Sequence, residues 1–123
     1  MLTKSGFSHI GSGDYRTVYA IPDAPRVIKI AKNPLGVKEN LAAIENWRQA
    51  EQLNVDCYLA ELHEYSSDGW WILQEHISET APPTIAPLKD TLTEAGVTIA
   101  EVNRHNVGTR NGSAILLDYG GSQ

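Results

Sequence analysis

The sequence predicts a small α+β fold built on an antiparallel sheet. Two apolar hairpins flank one helix-patterned segment, and a second, shorter hairpin closes the chain. This order of elements calls for about five strands with the helix packed on them. The 123 residues suit one compact domain. A 41% hydrophobic content is enough to give it a core. The formal net charge of −5 argues against nucleic acid or an anionic membrane as partner, since both favour a basic surface. Cys57 is the single cysteine, so no internal disulfide can form. No apolar run approaches the ~20 residues of a membrane span. Met1–Phe7 lacks the apolar core of a signal peptide, and a cytoplasmic location is expected.

Phe7–Ile10 suits an edge strand. Gly11-Ser12-Gly13 then supplies a flexible turn, and Val18, Tyr19 and Ile21 begin a strand. Pro22 to Pro25 is turn chemistry, and Arg26–Ala31 is the returning strand. No helix follows the glycines, so they are not a dinucleotide fingerprint. Asn33-Pro34 with Gly36 ends the strand. Residues 37–53 carry Leu41, Ile44, Trp47 and Leu53 at helical spacing. Asp56–Tyr65 and Trp70–Ile77 are strands around the turn Ser66–Gly69. Ser78–Pro87 holds three prolines and is a linker. Leu88–Ala95 is a short helix stopped by Gly96. The last hairpin turns at Asn111-Gly112 and leads through the apolar run Ala114–Leu117 to Asp118-Tyr119-Gly120.

The ordered set G-S-G-D-Y-R-T-V, V-I-K-I, helix, I-L-Q-E-H-I, an acid with Asn at plus five, and D-Y-G resembles the protein-kinase-like superfamily. The resemblance implies a kinase N-lobe, an antiparallel sheet plus an αC-like helix, over residues 1–77. Residues 78–87 would be the hinge and linker, and 88–123 a minimal remnant of the C-lobe, all within one kinase-like domain. It further implies that ATP and magnesium are the cofactors. Gly11, Gly13 and Val18 would belong to the glycine-rich loop. Val27 and Lys29 would sit on the nucleotide-facing strand, with Lys29 on the phosphates and Glu45 as its partner. Gln74 would be the gatekeeper, with backbone groups of Glu75 and Ile77 holding the adenine. Glu101 would stand at the catalytic base. Asn106 and Asp118 would be the magnesium ligands, as oxygen donors suited to a hard ion.

Each residue also has a plainer role. Lys29 could be a solvated lysine on an edge strand, although an unpaired ammonium is costly inside an apolar strand. Glu45 could pair with Arg48 on the helix surface. Glu39 is read as a first-turn acid favoured by the helix dipole. Glu101 could be a loop acid, and His105 a structural loop residue.

The departures from the kinase pattern shape the expected function. Arg16 replaces the third loop glycine, and Ile99-Ala100-Glu101 stands where H-R-D is usual. The sequence is expected to lack an activation segment and the helices of a peptide-binding lobe. Compact kinase-like sequences of this kind resemble products of small genomes such as those of phages. Two roles are therefore expected of it. One is a pseudokinase-like binding protein that docks on and modulates or inhibits another protein, a host protein among the candidates. The other is an active minimal kinase dependent on ATP and magnesium.

Overall fold

The computed structural model describes residues 7–97 and 102–120. The order of its elements is β1 (Ser8–Ser12), β2 (Arg16–Ala20), β3 (Arg26–Ala31), α1 (Pro34–Gln52), β4 (Leu62–Tyr65), β5 (Trp71–Glu75), α2 (Ala86–Ala95), β6 (Val107–Arg110) and β7 (Ser113–Leu116). Two short 3-10 turns precede β4 and β6, at Asp56–Tyr58 and Arg104–Asn106. Among the described residues no helix is long and apolar enough to cross a membrane.

The chain clusters into two compact units interleaved in sequence, residues 1–41 with 62–76 and residues 42–61 with 77–123. The first unit is a five-stranded antiparallel sheet in the order β1-β2-β3-β5-β4, with the N-terminal part of α1. Its register sets one face. Arg16 lies opposite Ala31, Val18 opposite Lys29, and Ala20 opposite Val27. On the other side of β3, Lys29 lies opposite Ile72 and Val27 opposite Gln74. Directly opposed residues share a face of the sheet, so Arg16, Val27, Lys29, Ala31, Ile72 and Gln74 point the same way. All six are buried.

α1 starts at Pro34, three residues earlier than the apolar spacing alone predicts. Proline suits the first helical position because its missing N–H has no helical partner there. Asn33 caps the start, its Oδ1 accepting from the Gly36 N–H at 3.0 Å. The far end closes on Asn54 at φ 61°, with Val55 N–H donating to Ala50 O at 2.9 Å and Asn54 N–H to Glu51 O at 3.2 Å. That pair of bonds is the left-handed stop of a Schellman motif. α2 ends the same way on Gly96, at φ 89°.

In the second unit the Asn111-Gly112 turn has both residues at positive φ, as a two-residue hairpin requires. Its core gathers Trp47, Leu59, Ala60, Leu116 and Tyr119, all buried. Tyr119 stacks on Trp47 at a ring separation of 6.2 Å and donates its hydroxyl to the carbonyl of Ala60 at 2.7 Å. Asp56–Tyr65 is not one strand, because its first half belongs to the second unit. Asp56–Tyr58 forms a 3-10 turn, Leu59 bridges Leu116, and Ala60 N–H donates to Leu116 O at 2.9 Å.

Two substitutions test this packing. A Cβ built on Gly36 would stand 2.1 Å from the carbonyl oxygen of Tyr15 and 3.1 Å from the Cα of Ala31. Gly36→Ala should therefore lower Tm, by an overpacking cost of roughly 1–3 kcal/mol, although alanine is the better helix former by about 1 kcal/mol. A Tm equal to or above the parent's would contradict the close approach of α1 to the β1–β2 turn. Tyr119→Phe keeps the ring stack and strands the buried Ala60 carbonyl, at a cost of about 1–3 kcal/mol. Chemical denaturation should show that loss with an unchanged m-value.

Candidate nucleotide and magnesium site

In the first unit the sequence-predicted residues fall on two features, the β1–β2 turn and the buried face of the sheet. Gly11 follows an irregularity in the β1–β2 pairing, between His9 and Gly11. The turn itself has Asp14-Tyr15 at its tip, closed by Gly13 N–H donating to Arg16 O at 2.9 Å. It is fastened to the segment joining β3 and α1. Lys32 Nζ donates to Ser12 Oγ at 3.1 Å and to Gly13 O at 2.8 Å. Asn33 Nδ2 donates to Asp14 O at 3.2 Å, and Lys32 N–H to Tyr15 O at 2.7 Å. Neither Gly11 nor Gly13 has a positive φ, and a Cβ at either would meet nothing within 4 Å. The fold thus makes no steric demand for glycine at these two positions, unlike Gly36.

Lys29 lies buried in β3 between Val18 and Ile72, with Val27 two residues before it on the same face. Gln74 is 1% exposed on the neighbouring strand. Polar groups are rarely buried without a purpose, because desolvation costs free energy unless partners compensate. Arg16 is the third buried polar residue contributed by the sheet strands to this face. Its Nε stands 3.1 Å from Glu39 Oε1 and its Nη1 donates to Asn40 Oδ1 at 3.1 Å. The sequence suggests a dipole acid in the first helical turn for Glu39. With α1 beginning at Pro34 it sits in the second turn, and its carboxylate meets Arg16 instead. Glu75 ends β5 opposite Arg26, half-buried, and His76 N–H donates to Pro25 O at 2.7 Å.

In the second unit, Glu45 is exposed on the C-terminal part of α1. Ile77 is half-buried, and its Cγ2 would stand 2.8 Å from a Cβ on Gly108. Asn106 and Asp118 come together. Asn106 O accepts from Leu117 N–H at 2.9 Å, and Asn106 Nδ2 donates to Asp118 O at 2.5 Å. Asp118 Oδ1 accepts from the N–H of Gly120 at 3.1 Å. Asn46 Nδ2 donates to Tyr119 O at 2.6 Å, so both neighbours of Asp118 are held. Glu101 lies outside the described residues. His105 is exposed, its backbone N–H bound to Asn103 Oδ1 at 2.9 Å.

Among the described residues no group of three or more His, Cys, Asp or Glu could hold a metal ion. Asn106 and Asp118 offer one amide oxygen and one carboxylate, which is too few for a protein-only cage. Their donor types are ones magnesium takes, since that ion keeps several waters and is commonly held by one or two carboxylates together with substrate phosphates. The sequence missed Arg16 and Asn40. The exchange of a loop glycine for arginine was visible, but nothing in the string said that the side chain turns inward.

No protein-family model and no curated protein sequence matches the chain. Solved structures of the PknI kinase domain of Mycobacterium tuberculosis do match it in fold. A cysteine-to-alanine mutant of that domain aligns with TM-score 0.55 and 17% identity, over 99% of this chain and 62% of the other. Two further PknI kinase-domain structures align at 15% identity with TM-scores of 0.52 and 0.54. The chain spans 62% and 61% of the length of those two domains. Its fold is accordingly protein-kinase-like, an N-lobe-like antiparallel sheet with its helix, together with a small remnant of the C-lobe.

Proposed function

We propose that this chain is a kinase-like nucleotide-binding protein that takes up ATP with magnesium, transfers phosphoryl groups slowly or not at all, and acts by docking on another protein. The observation that carries the nucleotide assignment is the pairing of Lys29 and Gln74, buried on one sheet face, with glycines at 11 and 13 whose missing side chains the fold does not require. Glycine that is needed neither for φ nor for space suits a backbone that a ligand approaches closely.

In this assignment Gly11, Gly13 and Val18 cover the phosphates, and the Lys29 ammonium attracts them. Val27 meets the adenine ring, Gln74 limits the depth of its seat, and backbone groups of Glu75 and Ile77 bind its edge. Asn106 and Asp118 supply oxygen ligands to magnesium. The ion, when bound with the nucleotide, would neutralise phosphate charge. Slow chemistry follows from two features. Glu101 stands where a catalytic aspartate is expected, one methylene longer, and a general base must meet its proton at hydrogen-bond distance. Arg16 stands where a third glycine would let the loop close over phosphates, and its side chain is anchored. A protein partner suits the net charge of −5 and an apolar patch on the first unit, where Leu41 and Trp70 are 42% and 45% exposed. Leu41 lies against Gly69, the residue before Trp70.

Thermal unfolding in rising Mg-ATP tests the binding. Tm should climb with ligand, by the equivalent of about 2.7 kcal/mol at a hundredfold excess over Kd. The rise should disappear in Lys29→Ala and Asp118→Ala. Gly13→Ala should unfold at the parent's Tm without ligand and bind Mg-ATP roughly tenfold more weakly, or about 1.4 kcal/mol. A parent Tm indifferent to Mg-ATP would overturn the nucleotide assignment. Incubation with radiolabelled ATP should leave the protein unlabelled, and the protein's addition to a host lysate should add no labelled species to those the lysate forms alone. Strong transfer that Asp118→Ala abolishes would instead make the chain an active minimal kinase.

A further inference from the structure

Arg16 occupies the seat of a loop glycine, yet its side chain is 9% exposed. An arginine in a sheet strand costs desolvation unless its charge and its donors are met. Here they are met by two consecutive residues of α1. Glu39 gives the carboxylate at 3.1 Å, and Asn40 gives the amide oxygen at 3.1 Å. Asn40 is 0% exposed and passes the connection on, its Nδ2 donating to Lys29 O at 3.3 Å and to Gly69 O at 2.9 Å. One arginine therefore joins the β1–β2 turn to α1. Through Asn40 it also reaches the backbone of the very residue assigned to the phosphates.

We propose that Arg16 is the positioning residue of the nucleotide site. With Glu39 and Asn40 it anchors the N-terminal part of α1 to the sheet. Glu39 turns toward the sheet, and the cation it meets comes from β2. The guanidinium suits the task because its planar fork presents several donors in fixed directions, so one side chain can engage a carboxylate and an amide together. Loop and helix are then coupled. A ligand that orders residues 11–16 also orders the start of α1, and loss of the Arg16 charge loosens both.

This inference rests on the Mg-ATP assignment for its functional half, and the experiment separates the two. Amide hydrogen exchange and Mg-ATP titration calorimetry are run on the parent, Arg16→Met, Arg16→Lys and Glu39→Gln. Exchange at Val37–Leu41 and at Gly13–Thr17 should rise roughly tenfold or more in Arg16→Met, while β5 stays protected. Mg-ATP affinity should fall by a similar factor. Arg16→Lys should recover part of both, because it restores charge without the fork, and Glu39→Gln should be intermediate. Unchanged exchange in Arg16→Met and Glu39→Gln overturns the anchoring whether or not nucleotide binds. Faster exchange with undiminished affinity overturns the coupling to the site. A parent that binds no Mg-ATP overturns the nucleotide assignment, and the exchange result still decides the anchoring. If Arg16→Met fails to fold, Glu39→Gln and Arg16→Lys carry the same comparison.

Discussion

The buried amide of Asn40 is the constraint on which the first unit depends. A side-chain amide offers two donors and one acceptor region, and each must be met when water is excluded. Asn40 meets them with Arg16 Nη1, Lys29 O and Gly69 O. These partners belong to β2, β3 and the turn between β4 and β5. The position of α1 along the sheet is thereby specified, since sliding the helix by a turn would strand a buried amide. Apolar contacts alone would tolerate such a slide more easily. The polar contacts therefore contribute specificity, whatever their net contribution to stability.

That specificity places charge on an otherwise apolar face. Val27, Ala31 and Ile72 line it with Arg16, Lys29 and Gln74. The glycines outside the left-handed turns at Gly96 and Gly112 separate into two kinds. Gly36, Gly69 and Gly108 sit where a Cβ would collide with neighbouring atoms, at distances of 2.1, 2.7 and 2.8 Å. Their presence is explained by packing. Gly11 and Gly13 face open space, and packing does not explain them. The same amino acid thus marks close contact in one place and accessible backbone in another.

Much of the fold was legible in the sequence because local chemistry and final structure agree. Asn111-Gly112 turns as its composition requires, Gly96 ends α2, and the β2–β3 and β4–β5 hairpins follow their apolar runs. Asp56–Tyr65 misled because its near-alternating pattern ran across two units. Alternation reports a half-buried surface and does not say which sheet or loop covers it. The start of α1 was missed by three residues because Asn33-Pro34 suits a turn as well as a capped helix start. That offset moved Glu39 out of the first turn and hid its pairing with Arg16. The meeting of Asn106 and Asp118 was legible in motif spacing. The burial of Arg16 was not, because its partners lie more than twenty residues away in sequence.

On the proposed function, the polar face and its loop receive a nucleotide. The most direct measurement is a backbone amide NMR titration of the isotope-labelled chain with Mg-ATP. The largest shifts are expected on Gly11–Val18, Val27–Lys29 and Glu75–Ile77, with Asn106 and Asp118 responding only when magnesium is present. A titration without shifts would contradict that proposal. So would shifts confined to the linker and hairpin around Pro82, Pro83 and Ser113, which line a separate pocket of about 530 Å³.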